Sequence, residues 1–243
     1  MRYRVYEKVY SGFWNVLDWI YPPVCVGCQA SGERLCTECR SKMKFTKSTR
    51  LPANTSDSLN LLGQPVSYTA KLYLAEYEGI TRDCVHALKY ANNQCLGELF
   101  SGWMADRVQQ AGWQVDIVMP VPLSRQRVRQ RGYNQSALIA RPLALHLGKP
   151  YQPYGLMRIR NTPSQVGLSA EERRENVAGA FKAVPGIVAG KKVLLVDDVT
   201  TTGATIEACS SALLAGGAIS VYCVTFAGFS QRIFSSNSTL HTV

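Results

Sequence analysis

Long apolar runs are missing from this chain. No stretch of its 243 residues approaches the roughly 20 that a bilayer span requires. A secretory leader is missing too. The opening MRYRVYEKVYSGFWNVLDWIYPP carries Glu7, Lys8 and Asp18, with no unbroken apolar core and no small-residue cleavage site. Both absences set the expected location as the cytoplasm, with no membrane span. There is no Walker A sequence, no G-x-G-x-x-G turn, no internal repeat and no helix-turn-helix pattern, so the usual nucleotide-binding loops and the simplest DNA readers are excluded. Acidic residues are scarce, 17 against 27 Lys and Arg, and the formal charge of +10 suits anionic partners such as nucleic acid, a phosphorylated small molecule or an acidic protein. Apolar residues make up 46% of the chain, enough for a full core, which excludes disorder.

What is present divides into five stretches. Residues 1–20 read as an amphipathic helix, with Val5, Val9, Phe13, Val16, Leu17 and Ile20 near one face; it suits packing on the body, on a partner chain or on a membrane surface. Residues 21–45 carry a cysteine cluster. Residues 46–66, rich in Ser, Thr, Asn and Pro, read as a linker, and 230–243 as a polar tail. Between them, 67–229 alternates strand-like and helix-like text: YTAKLYLAEY, then two helical periods, then VDIVMPVP, a further helix that contains Pro142, then KKVLLVDDV, a helix closed by Gly216 and Gly217, and AISVYCVTFA. Such alternation predicts an α/β fold with a mostly parallel sheet flanked by helices, and ligands at the carboxyl ends of the strands.

The cysteines pair as Cys25-x2-Cys28 and Cys36-x2-Cys39. Two such turns bring four thiolates to the corners of a tetrahedron, the all-sulfur geometry of structural zinc; an iron–sulfur cluster or two disulfides are the alternatives. A closed four-thiolate site leaves no position for reactive water, so the metal is expected to be structural, and in so small a knuckle to supply most of the folding energy. Lys42, Lys44, Lys47 and Arg50 follow, so the knuckle suits contact with nucleic acid or protein, or serves only as a clip. Cys84, Cys95, Cys209 and Cys223 stand in apolar contexts and are expected to fill the core.

The most informative stretch is VLLVDDVTTTGAT, residues 193–205. A buried strand ends in Asp197 and Asp198, and a loop of Thr200, Thr201, Thr202, Gly203, Ala204 and Thr205 opens a helix. The loop offers backbone N–H groups and hydroxyls to a phosphate, and Gly203 lets the backbone come close. Two acids beside it make sense if the phosphate belongs to a sugar whose hydroxyls they accept. Upstream, SRQRVRQRGYNQ places Arg125, Arg127, Arg129 and Arg131 at alternate positions, which reads as an extended arginine strand. Such residues could anchor a phosphorylated ligand, contact a nucleic-acid backbone with Tyr133 stacking on a base, or face water.

These motifs in this order resemble the ComF family: the four-cysteine knuckle, Pro120-Val121-Pro122-Leu123, Arg131-Gly132-Tyr133-Asn134-Gln135, TPSQVGLSAEERRENVAGAF and the Asp-Asp loop. The resemblance implies a type I phosphoribosyltransferase-like domain behind a zinc knuckle. It implies phosphoribosyl pyrophosphate or a related ribose 5-phosphate as ligand, with Mg²⁺. Asp197 and Asp198 would hold the ribose, Thr201 to Thr205 the 5′-phosphate, and Arg131 with Gly132 the pyrophosphate. Residues 158–176 would form a flexible hood from which Arg158, Arg160, Gln165 and Arg173 reach the ligand. Purine-salvage relatives carry a carboxylate two residues before the loop glycine as a base; here that position is Thr201, which favours an amine acceptor or no transfer at all. The family also implies a role in handling imported single-stranded DNA during natural transformation, directly or through a DNA-import helicase or another competence protein. Two readings stand at this point: an enzyme that transfers phosphoribosyl groups, and a non-catalytic zinc-containing adaptor whose pocket senses a ribose phosphate or is vestigial, while its knuckle and basic surface dock on single-stranded DNA or a DNA-import motor.

Overall fold

The structure, a computed structural model, describes residues 22–46, 51–52, 67–90, 93–162 and 169–229. The expected helix over 1–20, most of the 46–66 linker, Gln165 and the 230–243 tail lie outside the described residues. In chain order the elements are α1 (Thr37–Ser41), β1 (Leu51–Pro52), β2 (Ala70–Glu76), α2 (Gly79–Tyr90), α3 (Leu96–Gln110), β3 (Ile117–Pro120), α4 (Arg125–Arg131), α5 (Gln135–His146), β4 (Leu156–Arg158), α6 (Ala170–Val177), β5 (Phe181–Ala183), α7 (Pro185–Val188), β6 (Lys192–Thr200), α8 (Ala204–Ala215) and β7 (Ser220–Gly228).

The main sheet has the order β1-β2-β7-β6-β3. β2, β7, β6 and β3 are mutually parallel, and only the two-residue edge strand β1 runs antiparallel. Side chains of β6 alternate between two cores, as a strand with both faces covered must. Leu194 and Val196 join the layer of α2, α3 and α5, while Val193 and Leu195 join the layer of α7 and α8. Each such fully buried side chain contributes about 1.5–3 kcal/mol of transfer free energy. Phe226 of β7 stacks on Phe100 of α3 with centroids 3.6 Å apart, at the centre of the first core.

Pro142 stands inside α5 without ending it. Having no N–H, it leaves the Leu138 carbonyl without its helical donor. Gly97 of α3 packs against that carbonyl, where a Cβ would lie 2.7 Å from the Leu138 oxygen.

The cysteine knuckle does not stand apart. Cys25, Leu35, Cys39 and Met43 are buried in the same core as α2 and α3. Gly27 is wedged so tightly that a Cβ would sit 2.6 Å from both the Cys39 sulfur and Ile80 of α2. Arg40 lies over the Trp103 ring at 4.6 Å, and Phe45 meets the same ring edge-on at 5.6 Å. The exit segment then runs antiparallel along β2: Glu76 N–H donates to the Lys44 carbonyl at 2.9 Å, Thr46 N–H to the Leu74 carbonyl at 2.9 Å, and Leu51–Pro52 pair with Lys71 and Ala70. The expectation of a knuckle almost without a core is therefore replaced by one that borrows the core of the main domain. At the opposite edge, residues 150–152 cover β3, with Val118 N–H donating to Pro150 and Gln152 N–H to Val118.

Candidate functional site

The carboxyl ends of β3 and β6, the start of α5 and the loop before α8 enclose a cleft of about 790 Å³. Its floor is the acidic pair. Asp197 and Asp198 are both buried. Ser136, near the start of α5, donates its hydroxyl to Asp197 at 2.6 Å, and the Asp198 backbone N–H donates to the same oxygen at 3.0 Å. Asp198 is ion-paired with Lys89 from the last turn of α2, Nζ to Oδ2 at 2.7 Å, and accepts a long hydrogen bond from Gln135 at 3.4 Å. Burial, then the neighbouring Asp198 charge, push the Asp197 carboxyl up to about 8. Burial opposes ionisation of Asp198 as well, but the Lys89 ammonium outweighs it and holds that carboxyl below its ordinary range. The Lys89 ammonium thus balances the Asp198 charge, while shared burial and that neighbouring charge disfavour a second charge on Asp197.

Beyond the acids the chain turns through Thr201 and Thr202 to Gly203, whose φ of +83° is the left-handed conformation that favours glycine, and α8 begins at Ala204. Thr200, Thr201, Thr202, Gly203, Ala204 and Thr205 all line the cleft. The N–H groups of the first turn of α8 have no helical acceptor, and the helix dipole there favours an anion. The Thr200 hydroxyl is buried with no hydrogen-bond partner among the described residues.

The opposite wall is cationic. The arginine run is a helix, not a strand: Ser124 caps α4 by accepting from Arg127 N–H at 3.3 Å, and Gly132 ends it in the left-handed region. Helical register separates alternate residues into two stripes. Arg127 and Arg131 face the cleft, while Arg125 and Arg129 line a second, shallower depression with Gln126, Gln130 and Asn161. Arg131 is held in place by Gln135 Oε1 at 3.1 Å and by Tyr90, which it stacks on and donates to. Burial, and then the adjacent Arg131 charge, work against the charge on Arg127, a cost that an anion bound between them removes. Gly132 itself does not line the cleft; its part is to end α4.

The two-stranded sheet β4–β5 and α6 form a flap over the threonine loop. Ser169 and Glu172 make a reciprocal capping box at the start of α6, and Arg173 then donates to the Thr201 hydroxyl at 3.0 Å. Arg158 lines the cleft, packs on Phe181 and donates to Thr162. Arg160 turns away and donates to the carbonyls of Asn176 and Ala178. Lys89, Tyr90 and Ser136 stand outside every motif read from the sequence, and Gln135 enters there only as the last residue of the 131–135 motif, with no role assigned. Lys89 lies 109 positions before Asp198 and ends an ordinary amphipathic helix; only its place in space marks it.

In the knuckle the sulfur atoms of Cys25, Cys28, Cys36 and Cys39 all lie within 4.8 Å of one another. Cys36 N–H points at the Cys25 sulfur and Cys39 N–H at the Cys36 sulfur, both at 3.4 Å, as donors to thiolates do. Zinc at about 2.3 Å from each sulfur fits this set. Among the described residues it is the one such cluster, and no described helix is long and apolar enough to cross a membrane.

The domain that carries this cleft is a phosphoribosyltransferase domain, as the match to that family shows. A family model described as "Phosphoribosyl transferase domain" matches residues 87–238, and one described as "Double zinc ribbon domain" matches residues 16–50. The chain belongs to the ComF competence family. It is 30% identical over 221 residues to the DNA utilization protein YhgH of Escherichia coli O157:H7, covering 88% of this chain and 91% of that one. Competence protein F of Haemophilus influenzae is 28% identical over 201 residues, 78% of this chain and 83% of that one. Competence protein ComFC of Bacillus subtilis is 30% identical over 103 residues, 42% of this chain and 39% of that one.

Proposed function

We propose that this protein binds phosphoribosyl pyrophosphate or a closely related ribose 5-phosphate in the cleft and transfers the phosphoribosyl group in the service of DNA uptake. The observation that carries the reading is the acidic pair itself. A site for bare phosphate has no use for Asp197 and Asp198 beside the loop; a ribose gives both of them hydroxyls to bind. The 5′-phosphate takes the Thr201–Thr205 loop, and the pyrophosphate faces Arg131 and Arg127. Heterolysis of the C1–oxygen bond leaves positive charge on the ribose and negative charge on the departing pyrophosphate. The arginines stabilise the second, and the buried acids hold the ring that bears the first. The flap, joined to the loop by Arg173 and the exposed Thr201, would screen C1 from water once a ligand fills the cleft. No carboxylate stands at Thr201 to deprotonate an incoming base, so the acceptor is a nucleophile that needs little help, such as an amine.

Mg²⁺ suits an all-oxygen donor set shared between carboxylates and ligand phosphates. Asp197 and Asp198 would hold it, and it would supply charge neutralisation on the pyrophosphate. The DNA-related role rests on the relatives, named for DNA utilization and competence. The exposed stripe of Arg125 and Arg129 suits a single strand's backbone, and a competence helicase is the protein partner to test. A cytoplasmic site of action accords with cysteines that form no disulfide among the described residues.

Isothermal titration of the zinc-loaded protein with phosphoribosyl pyrophosphate and Mg²⁺ tests the reading. Saturable binding that Asp198→Asn abolishes is expected. A folded protein that gives no heat above dilution overturns it. The adaptor reading is separated by transformation assays: DNA uptake that survives Asp198→Asn unimpaired makes the pocket dispensable for that role.

A further inference from the structure

Lys71 lies in β2, outside the cleft lining, and is 9% exposed. A buried ammonium is ordinarily paired with a carboxylate. The Lys71 side chain makes no ion pair and no hydrogen bond among the described residues. Its one close polar contact is the face of Tyr68, 5.3 Å from Nζ to the ring centroid. Nζ lies against the back of the threonine loop, 3.4 Å from where a Cβ on Gly203 would stand. Gly203 is the N-cap of the twelve-residue α8, so the ammonium sits beside the positive end of a helix dipole. Such a position is unfavourable for a cation unless an anion shares it. Glu207, one turn into α8, is turned to the Ser67 N–H at 2.5 Å and does not reach Lys71 within ion-pair distance.

We propose that Lys71 is a positioning residue for the 5′-phosphate: a buried charge held behind the Thr201–Thr205 loop that completes its electrostatics when a ribose 5-phosphate binds in front. The proposal rests on the reading of that loop as the phosphate site and adds a group from β2, which β7 separates from β6. Burial holds the Lys71 ammonium below its ordinary range, with the charges of Cys223 and Glu207 pulling the other way. Those groups and Tyr68 are the titratable side chains that face it. In the folded state Lys71 therefore gives up its proton at lower pH than in the unfolded chain. Below that folded-state value the whole burial penalty weighs on the native state, and it is relieved as pH climbs toward 10.5.

Two readouts separate this role from a merely structural one. Lys71→Met removes an unpaired buried charge and keeps an apolar stem, so it raises the melting temperature at neutral pH, by an increment that shrinks as pH rises. It also weakens ribose 5-phosphate binding about tenfold, as expected for losing one partly screened unit charge a few ångströms from the phosphate. Pyrophosphate alone, which faces the arginine wall, binds Lys71→Met as it binds the wild type, and Lys71→Arg retains most of the ribose 5-phosphate affinity. A wild-type dissociation constant for ribose 5-phosphate in Lys71→Met overturns the role of Lys71. A wild-type protein that binds no ribose 5-phosphate overturns the loop reading beneath it, and the two failures are distinct.

Discussion

At the scale of single residues, the site is built on one ion pair that no motif announces. Lys89 and Asp198 meet at 2.7 Å with both side chains largely out of water. Removing one partner of a buried pair leaves the other charged and unsolvated, a loss of about 3–5 kcal/mol. Lys89→Met is accordingly expected to lower the midpoint of urea unfolding far more than Arg131→Ala. Arg131→Ala should instead leave stability nearly unchanged and weaken pyrophosphate binding by about 1.5–3 kcal/mol, the worth of a charge-assisted contact. Equal effects of the two substitutions on stability would contradict this division of labour. The contrast also marks what a linear reading reaches. Asp197, Asp198 and the threonines are contiguous, so their chemistry is visible as a string. Lys89 and Ser136 come to the same place only because α2 and α5 pack on the same face of the sheet, which no local pattern encodes. Lys71 carried a faint signal, a lysine in a strand whose neighbours are apolar, but its meaning depends on α8 lying across it.

At the scale of elements, α4 shows how a repeat of two misleads. Arginines at alternate positions suit a strand, yet Ser124 before them and Gly132 after them are the cap residues of a helix, and those ends decide the matter. The helix converts one basic run into two faces with separate uses. Arg127→Ala with Arg131→Ala should abolish pyrophosphate binding and leave most of any single-strand affinity. Arg125→Ala with Arg129→Ala should spare pyrophosphate and flatten the salt dependence of single-strand binding by about 1.4 logarithmic units, at ~0.7 for each phosphate no longer neutralised. Loss of both activities in both pairs would mean that the faces are not independent. The flap offers a second test. Ser169→Ala removes a capping box worth about 1 kcal/mol to α6. Amide exchange in residues 170–177 should rise several-fold while β6 and β7 stay protected, and ligand release should quicken. The mostly parallel sheet was legible from alternating strands and helices, its strand order was not; the flap was expected only through the family resemblance, as a hood over 158–176, because its two strands are three residues each and carry no period.

At the scale of the whole molecule, the knuckle and the domain share one core, so they should melt as one. Calorimetry of the zinc-loaded protein is expected to give a single transition across the described residues, and chelation should lower it as a whole rather than split off a small early step. Two separate transitions would show that the shared burial of Cys25, Cys39 and Met43 with α2 and α3 is energetically weak. The backbone of residues 44–46 and 51–52 has a further consequence through where it lies. It occupies the outer hydrogen-bonding side of β2, a parallel strand that would otherwise present a row of unpaired N–H and C=O groups. Chelation unties the segment that covers them, and a bare strand edge recruits other chains. The metal-free protein should therefore be lost first to concentration-dependent aggregation, so that zinc supply governs how much of this protein stays soluble.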